Sequence, residues 1–406
     1  MGFGQGLSGL NAAAQSLDVI GNNIANSGTV GFKAGSAKFA DVYANSRVGL
    51  GTQLASINQR FSVGTISSTG NQFDLAIDGA AGFFRLQDSS GAVSYTRNGQ
   101  FLADKENYIV NAQGQRLTGY LGTSLTPEPI MVPVGNIAPA ATTSITSTLN
   151  LDAREESVPA TVIFDPTNTS SYSHSFPITV YDSLGNSHQL SQYFVKRDGT
   201  PGVASNWEVY YRLDGDALNA PYDDSNPTPL AFDAAGRLTS PATPVNLTIN
   251  DIGLANSPAD PLDFTIDYAN SSQFGGEFTY RFDPDGYPTG EYASMSVASD
   301  GTIVASYTNG ETRALGTLVL ANFTNLQGLK AVGGNAWIET SESGQPVLGA
   351  PGSNGMAVIK SQAVEDSNVD MGQELVNMII AQRAYQANAQ TIQTQDQVLQ
   401  TLINMR

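Results

Sequence analysis

Cysteine is absent from the 406 residues, which excludes disulfide frameworks, thiolate zinc sites and cysteine nucleophiles. Histidine is almost as scarce: His174 and His188 are too few for a histidine-rich metal centre. Basic side chains are outnumbered, 19 Lys and Arg against 37 Asp and Glu, and the formal charge of −18 opposes binding to nucleic acid or to anionic membranes. No stretch approaches the run of about eighteen apolar residues that a membrane-spanning helix needs. The N-terminus has no basic residue before Lys33 and no continuous apolar run, so no cleavable secretory signal is legible, and Gly6 stands where myristoylation calls for Ser or Thr. Charged residues make up only 14% while Gly numbers 41, a composition closer to extracellular β-rich assemblies than to a cytosolic enzyme. The length allows two or three domains with a sizeable core.

The two ends differ from everything between them. Leu7, Leu10, Ala14, Leu17, Gly21 and Ile24 recur at spacings of three and four, a seam along one side of a helix. At the other end Leu375, Met378, Tyr385, Ala389, Ile392, Leu399 and Ile403 fall on seam positions, with Gln382 and Asp396 as polar interruptions. Both ends read as coiled-coil helices. The second is expected to start near Asp366 or Ser367, where side chains can cap orphan N–H groups, and to run without Pro to the last residue. Residues 371–406 carry only Glu374, Arg383, Asp396 and Arg406 as charges, so the outer face suits packing against other copies. A helix of about 20 residues is marginal alone in water, so each needs a partner. Pairing the two ends within one monomer and stopping there would leave weakly charged faces exposed.

Residues 71–364 have the opposite character. Short alternating runs at 73–77, 83–87, 93–97, 176–181, 189–195, 207–213, 264–268 and 315–323 read as strands. Asp198-Gly199, Asp285-Gly286, Asp300-Gly301 and Asn309-Gly310 supply residues that tolerate positive φ at hairpin tips, which favours antiparallel sheet. Residues 121–148, rich in Thr, Pro, Ala and Ser, read as an extended connector, and Asp283-Pro284-Asp285-Gly286 marks a second break. The expected class is mainly β: one discontinuous antiparallel domain (71–146 and 284–364), one inserted antiparallel domain (147–283), and terminal helices (1–26 and 365–406) forming a coiled-coil inner domain. The inserted block holds 18 acids and 6 bases, −12 of the total charge. Residues 27–70 form a connecting arm in which Gly28, Gly31, Gly35, Gly49, Gly51 and Gly64 punctuate anchors at Phe32, Phe39, Tyr43, Leu50 and Phe61.

Reaction chemistry finds little support. His188 with Asp182 and Ser183 lacks a nucleophile elbow and reads as a surface turn. Asp283, Asp285 and Glu291 with Gly286 lack the spacing of a calcium loop and read as a structural turn. Gly4, Gly6 and Gly9 match a dinucleotide fingerprint by letter, but no strand precedes them, and they read as flexible leader. No catalytic, cofactor-binding or metal-binding residue is assigned.

The end segments carry longer motifs. Ser8-Gly9-Leu10-Asn11-Ala12-Ala13, then Leu17-Asp18-Val19-Ile20-Gly21-Asn22-Asn23-Ile24-Ala25-Asn26 and Thr29-Val30-Gly31-Phe32-Lys33, resemble the N-terminal signature of flagellar rod and hook proteins. Ser367-Asn368-Val369-Asp370, Glu374-Leu375-Val376-Asn377-Met378-Ile379 and Gln382-Arg383-Ala384-Tyr385-Gln386-Ala387-Asn388-Ala389 resemble that family's closing helix. Asp74 to Arg97 with Asn98-Gly99-Gln100-Phe101 resembles its inner β domain. Rod members are typically shorter and lack a large outer insertion, so the inserted block places the chain with the hook members.

The resemblance implies a non-enzymatic subunit without cofactors that polymerises with itself into a curved tube. The tube is a universal joint that passes torque from rod to filament, the terminal helices lining its export channel and the inserted domain outermost. It also implies partners: a distal rod protein, a hook–filament junction protein, a hook cap protein and the flagellar type III export apparatus, with export to the extracellular flagellum without a cleaved signal. Some spirochaete relatives crosslink subunits through Cys, a chemistry this chain lacks. Two alternatives are a distal rod protein and a secreted β-rich adhesin. The adhesin would show exposed aromatics among Trp207, Tyr210, Tyr211 and Tyr222.

Overall fold

The computed structural model describes residues 3–42, 49–122, 124–198, 205–250 and 259–404; Tyr43, Gly199 and Arg406 lie outside them. The chain divides into two compact units, one of Met1–Val134, Ala293–Ser306 and Thr312–Arg406, the other of Gly135–Tyr292 and Tyr307–Glu311. Their charges are unequal. The second holds 21 acidic and 6 basic side chains, −15 of the −18.

In the first unit, α1 (Phe3–Ala25) and α2 (Met371–Asn404) are the long helices. Gly4, Gly6 and Gly9 lie inside α1, so the expected flexible leader is helix, held against α2 at Gly6 and Gly9, where a side chain would crowd Ile392 and Asn388. Helix α2 starts four to five residues later than expected. The Asp370 carboxylate accepts the Gln373 N–H (3.1 Å) as its cap. The preceding residues are engaged elsewhere: Asn368 receives the Ala34 N–H (2.8 Å) and donates to the carbonyls of Arg60 (2.6 Å) and Ser62 (3.0 Å). After α1 the arm forms an antiparallel hairpin, β1 (Gly35–Val42) and β2 (Gly51–Gln59).

The β part of this unit is woven from both halves of the chain. Strands Thr312–Leu318, Arg116–Leu121, Phe83–Gln87, Val93–Thr96 and Ala336–Ile338 follow one another in one sheet. Phe83, Tyr95, Ala321, Phe323 and Trp337 pack beneath it, with edge-to-face rings at 5.7 Å (Phe83 to Trp337) and 4.8 Å (Tyr95 to Phe323). Gly301 (φ +80°) occupies a left-handed turn position beside Asp300, and in the second unit Gly310 (φ +89°) does so beside Asn309.

The second unit packs two sheets on one core. The first sheet orders His174–Tyr181, Ser187–Arg197, Ser205–Leu213, Thr228–Phe232 and Leu238–Ser240. The second orders Val245–Ile249, Leu262–Asp267, Ser144–Asn150 and Thr279–Pro284. Phe194, Trp207, Phe232, Leu247, Phe264 and Tyr268 fill the space between them. Ser144–Asn150 corrects the connector reading of 121–148: Ile145, Ser147 and Leu149 alternate inward, although Thr and Ser dominate the segment. That strand also pairs in parallel with Leu262–Asp267, a departure from purely antiparallel pairing.

Asp285-Gly286 is a cross-link rather than a hairpin tip. The Asp285 carboxylate accepts the N–H groups of Thr143 (2.8 Å) and Ser144 (3.0 Å) and the Thr143 hydroxyl (2.6 Å). A Cβ on Gly286 would sit 2.3 Å from Thr142 Oγ1, which explains the glycine without a positive φ. His188 Nδ1 lies 2.8 Å from Asp214, while Asp182 accepts the N–H groups of Leu184 and Asn186 in a turn. Trp207, Tyr210 and Tyr211 are buried and Tyr222 packs against the core, so none of the four forms an exposed aromatic cluster.

His174 gives this unit a pH signature. Its ring lies 4.3 Å from that of Phe278, and burial pushes the imidazole pKa down from 6.5 against the raising pull of Glu155 and Asp152. The unfolded chain therefore takes up the proton first as pH falls, so stability present above about 6.5 is lost through the range between the unfolded and folded values. Urea midpoints of this unit, read from Trp207 emission in a Trp337→Phe background, should fall between about pH 7 and about pH 5. In His174→Phe the slope over that range should vanish.

Candidate assembly site

Helices α1 and α2 run antiparallel within the chain and meet through small residues. A Cβ on Gly6 would be 3.2 Å from Ile392 Cγ1, and one on Gly9 would be 2.7 Å from Asn388 Oδ1. Farther along, Ala13, Ser16 and Ile20 line one groove with Ala384, Ala381 and Asn377. The close approaches fall at Gly6 and Gly9, each one residue, about 100° of helix rotation, before a position of the apolar seam legible in the sequence, Leu7 and Leu10. Small side chains let the backbones approach closely; the larger ones are left outside.

The predicted seam residues are exposed or partly buried. Leu7, Gly21, Leu375, Tyr385, Leu399 and Ile403 are exposed, and Leu10, Ala14, Leu17, Ile24, Met378, Ala389 and Ile392 are partly buried. Ile392 lies against the partner helix at Gly6. Val376, Ile379, Ile380 and Val398 add to the uncovered apolar surface. Gln382 and Arg383 are exposed on α2.

The N-terminal motif residues build the root of this helix pair. Asn26 donates to the backbone carbonyl and side chain of Asn22 (both 3.0 Å) as α1 ends. Asn23 is buried, and its amide exchanges two hydrogen bonds with the Gly35 backbone (2.8 and 2.9 Å), clamping α1 to β1. Gly31 has φ +71°, and a Cβ there would lie 2.5 Å from the Asn98 nitrogen. Phe32 is partly buried, its carbonyl accepting the Asn368 N–H.

Lys33 enters a charge cluster that sequence reasoning missed. Its ammonium bonds the Glu365 carboxylate and the Ser62 carbonyl (2.9 Å). Arg97 reaches the other Glu365 oxygen at 3.3 Å and donates to the carbonyls of Gly79 (2.9 Å) and Ala80 (2.6 Å). The Gly64 N–H adds a bond to Glu365 (2.9 Å), and the Gly31 N–H bonds its backbone carbonyl (2.7 Å). All three charged side chains have 0 or 1% exposure. Burial pushes the Lys33 ammonium pKa down; Glu365 pulls it up and Arg97 lowers it further. Burial likewise lowers Arg97, opposed by Glu365. One carboxylate therefore ties the segment after α1, the β core and the strand leading to α2.

Among the described residues no group of three or more His, Asp or Glu is placed to hold a metal ion. The arrangement presents a rooted helix pair with its larger apolar side chains uncovered. Matches to known families fall on the same parts. The flagella basal body rod protein model matches residues 5–33, and the flagellar basal body rod FlgEFG protein C-terminal model matches 360–405. The flagellar hook protein FlgE/F/G D1 domain matches 76–149, and the flagellar basal body protein FlaE D2 domain matches 150–287.

The chain is 43% identical to the flagellar hook protein FlgE of Escherichia coli (strain K12) and 44% identical to that of Salmonella typhimurium, covering 100% of both chains in each case. It is 32% identical to the flagellar hook protein of Borreliella burgdorferi, covering 99% of this chain and 98% of that one. The crystal structure of Helicobacter pylori flagellar hook protein FlgE2 shares the fold, with TM-score 0.55 at 15% identity over 74% of this chain and 100% of that one. Full-length similarity to hook proteins does not favour the distal-rod and adhesin alternatives. The chain belongs to the flagellar hook protein family, as a non-enzymatic structural subunit that polymerises into the bacterial flagellar hook.

Proposed function

We propose that the outer seams of α1 and α2 close between copies to form the inner wall of the tube around the export channel, while the second unit lies outermost and tunes curvature. The offset contact carries this reading: the helices approach closely at Gly6 and Gly9, and Leu7, Leu375, Leu399 and Ile403 stay uncovered. The tube acts as a universal joint that bends while passing torque. Its ends meet the distal rod protein and the hook–filament junction protein, a hook cap protein guides growth, and subunits leave through the flagellar type III export apparatus without losing a signal peptide. The Gln- and Asn-rich surface of α2 suits a channel wall that holds passing chains weakly.

The charge of the second unit supplies the test. At −15 per copy, neighbouring outer units repel, and salt screens that repulsion over a Debye length of about 8 Å at physiological ionic strength. Raising salt should change the supercoiled shape before it dissolves the tube. Ile137 and Gly290 are bridged backbone to backbone (2.8 Å), so residues 138–289 can be replaced by a short turn at that stem. The shortened chain should still form tubes, straighter and less responsive to salt, in electron micrographs. A folded, shortened monomer that never polymerises would overturn the outer placement.

A further inference from the structure

Three asparagines are followed by glycine: Asn98-Gly99, Asn309-Gly310 and Asn354-Gly355. At such a step the next backbone nitrogen has no side chain beside it and can attack the asparagine carboxamide, provided that both groups are free to move into line. The fold restrains two of the three. The Asn98 carboxamide oxygen accepts the Gln100 N–H (2.9 Å), and Gly99 is buried so closely that a Cβ there would stand 1.5 Å from the Leu75 carbonyl oxygen. Asn309 donates its amide to the Pro288 carbonyl (2.7 Å) and accepts the Glu311 N–H (3.0 Å), while the Gly310 N–H bonds the Tyr307 carbonyl (3.0 Å). Attack at either site must wait for local opening.

Asn354 has neither restraint. It and Gly355 are exposed in the turn between Val347–Gly349 and Val358–Ser361. Among the described residues none hydrogen-bonds the Asn354 side chain, and the Gly355 N–H makes no backbone hydrogen bond. A Cβ on Gly355 would meet nothing within 4 Å, so the backbone there has room to turn. The flanks stay anchored: the Gly352 N–H bonds the Ala357 carbonyl (3.0 Å), and buried Met356 donates its N–H to the Ser353 carbonyl (2.8 Å).

We propose that Asn354 is a site of spontaneous deamidation in the folded chain. The Gly355 nitrogen bonds the Asn354 Cγ and gives up its proton, and the carboxamide nitrogen leaves as ammonia. The cyclic imide that results takes up one water at either carbonyl, and its C–N bond breaks to give aspartate or isoaspartate. Water is the sole co-reactant. The product adds a negative charge and, in the isoaspartyl form, an extra backbone atom to the turn leading into Val358–Ser361, the strand paired with Leu75–Asp78. Loss of ammonia makes the change one-way, so the mark accumulates with the age of a folded copy.

Peptide masses test this in the full wild-type chain, held in warm, mildly alkaline buffer and digested at intervals, with isoaspartate counted by enzymatic methylation. In the folded chain Asn354 should convert at least about tenfold faster than Asn98 and Asn309. In concentrated guanidinium chloride the three rates should draw together, because only the shared Asn-Gly step remains. Equal rates in the folded chain, a faster Asn98 or Asn309, a preference for Asn354 that persists in denaturant, or an Asn354 that stays intact in the folded chain while the denatured sample reacts would each overturn the proposal.

Discussion

Glu365→Ala should melt the first unit roughly 10 °C early. The carboxylate is the one anion between Lys33 and Arg97, and its removal leaves two cations without it at 0–1% exposure. Breaking such a buried pair from one side costs about 3–5 kcal/mol, far above the value of an exposed pair. The loss falls where α1, the β core and α2 are joined, so the helix pair should lose its root before the second unit changes. Emission from Trp337 in a Trp207→Phe background reads the first unit, and emission from Trp207 in a Trp337→Phe background reads the second. A shift below about 2 °C in the first unit would show that the cluster does not hold the root.

Leu17→Asp should abolish tube growth while leaving the monomer's melting temperature in place. Leu17 is partly buried on α1, one of the apolar positions assigned to contacts between copies. In the monomer an aspartate there stays hydrated. In the tube it must be stripped of water in an apolar contact, at a cost of several kcal/mol unless it is neutralised or paired. A loss of about 3 kcal/mol per subunit raises the critical concentration for growth roughly 100-fold. Sedimentation of polymer against total protein measures it. A collapse of the melting temperature instead would place Leu17 in the intramolecular core.

Several features were legible in the sequence because they rest on local pattern. The helical spacing of Leu7 to Ile24 and Leu375 to Ile403 marked both ends, and alternation marked strands such as Phe83–Gln87 and Ser205–Leu213. The face on which α1 and α2 approach was not legible, since Gly6 and Gly9 contribute backbone proximity rather than apolar area, and a reading through Leu and Ile points one residue away. Glu365 gave no signal either. Lys33 stands in a motif and Arg97 ends a predicted strand, but their shared partner is 332 residues from one and 268 from the other. Ser144–Asn150 looked like a connector because Thr and Ser carry its alternation, and only its two strand partners reveal Ile145 and Leu149 as core.

A three-dimensional reconstruction by electron cryomicroscopy of tubes grown from the full chain tests the central claim most directly. The account predicts a hollow tube with α1 and α2 innermost, Gly6 and Gly9 still against α2 within each copy, and Leu7, Leu17 and Leu399 buried between copies. Tubes in which the helix pair lies at the periphery, or in which Leu17 and Leu399 face solvent, would contradict it.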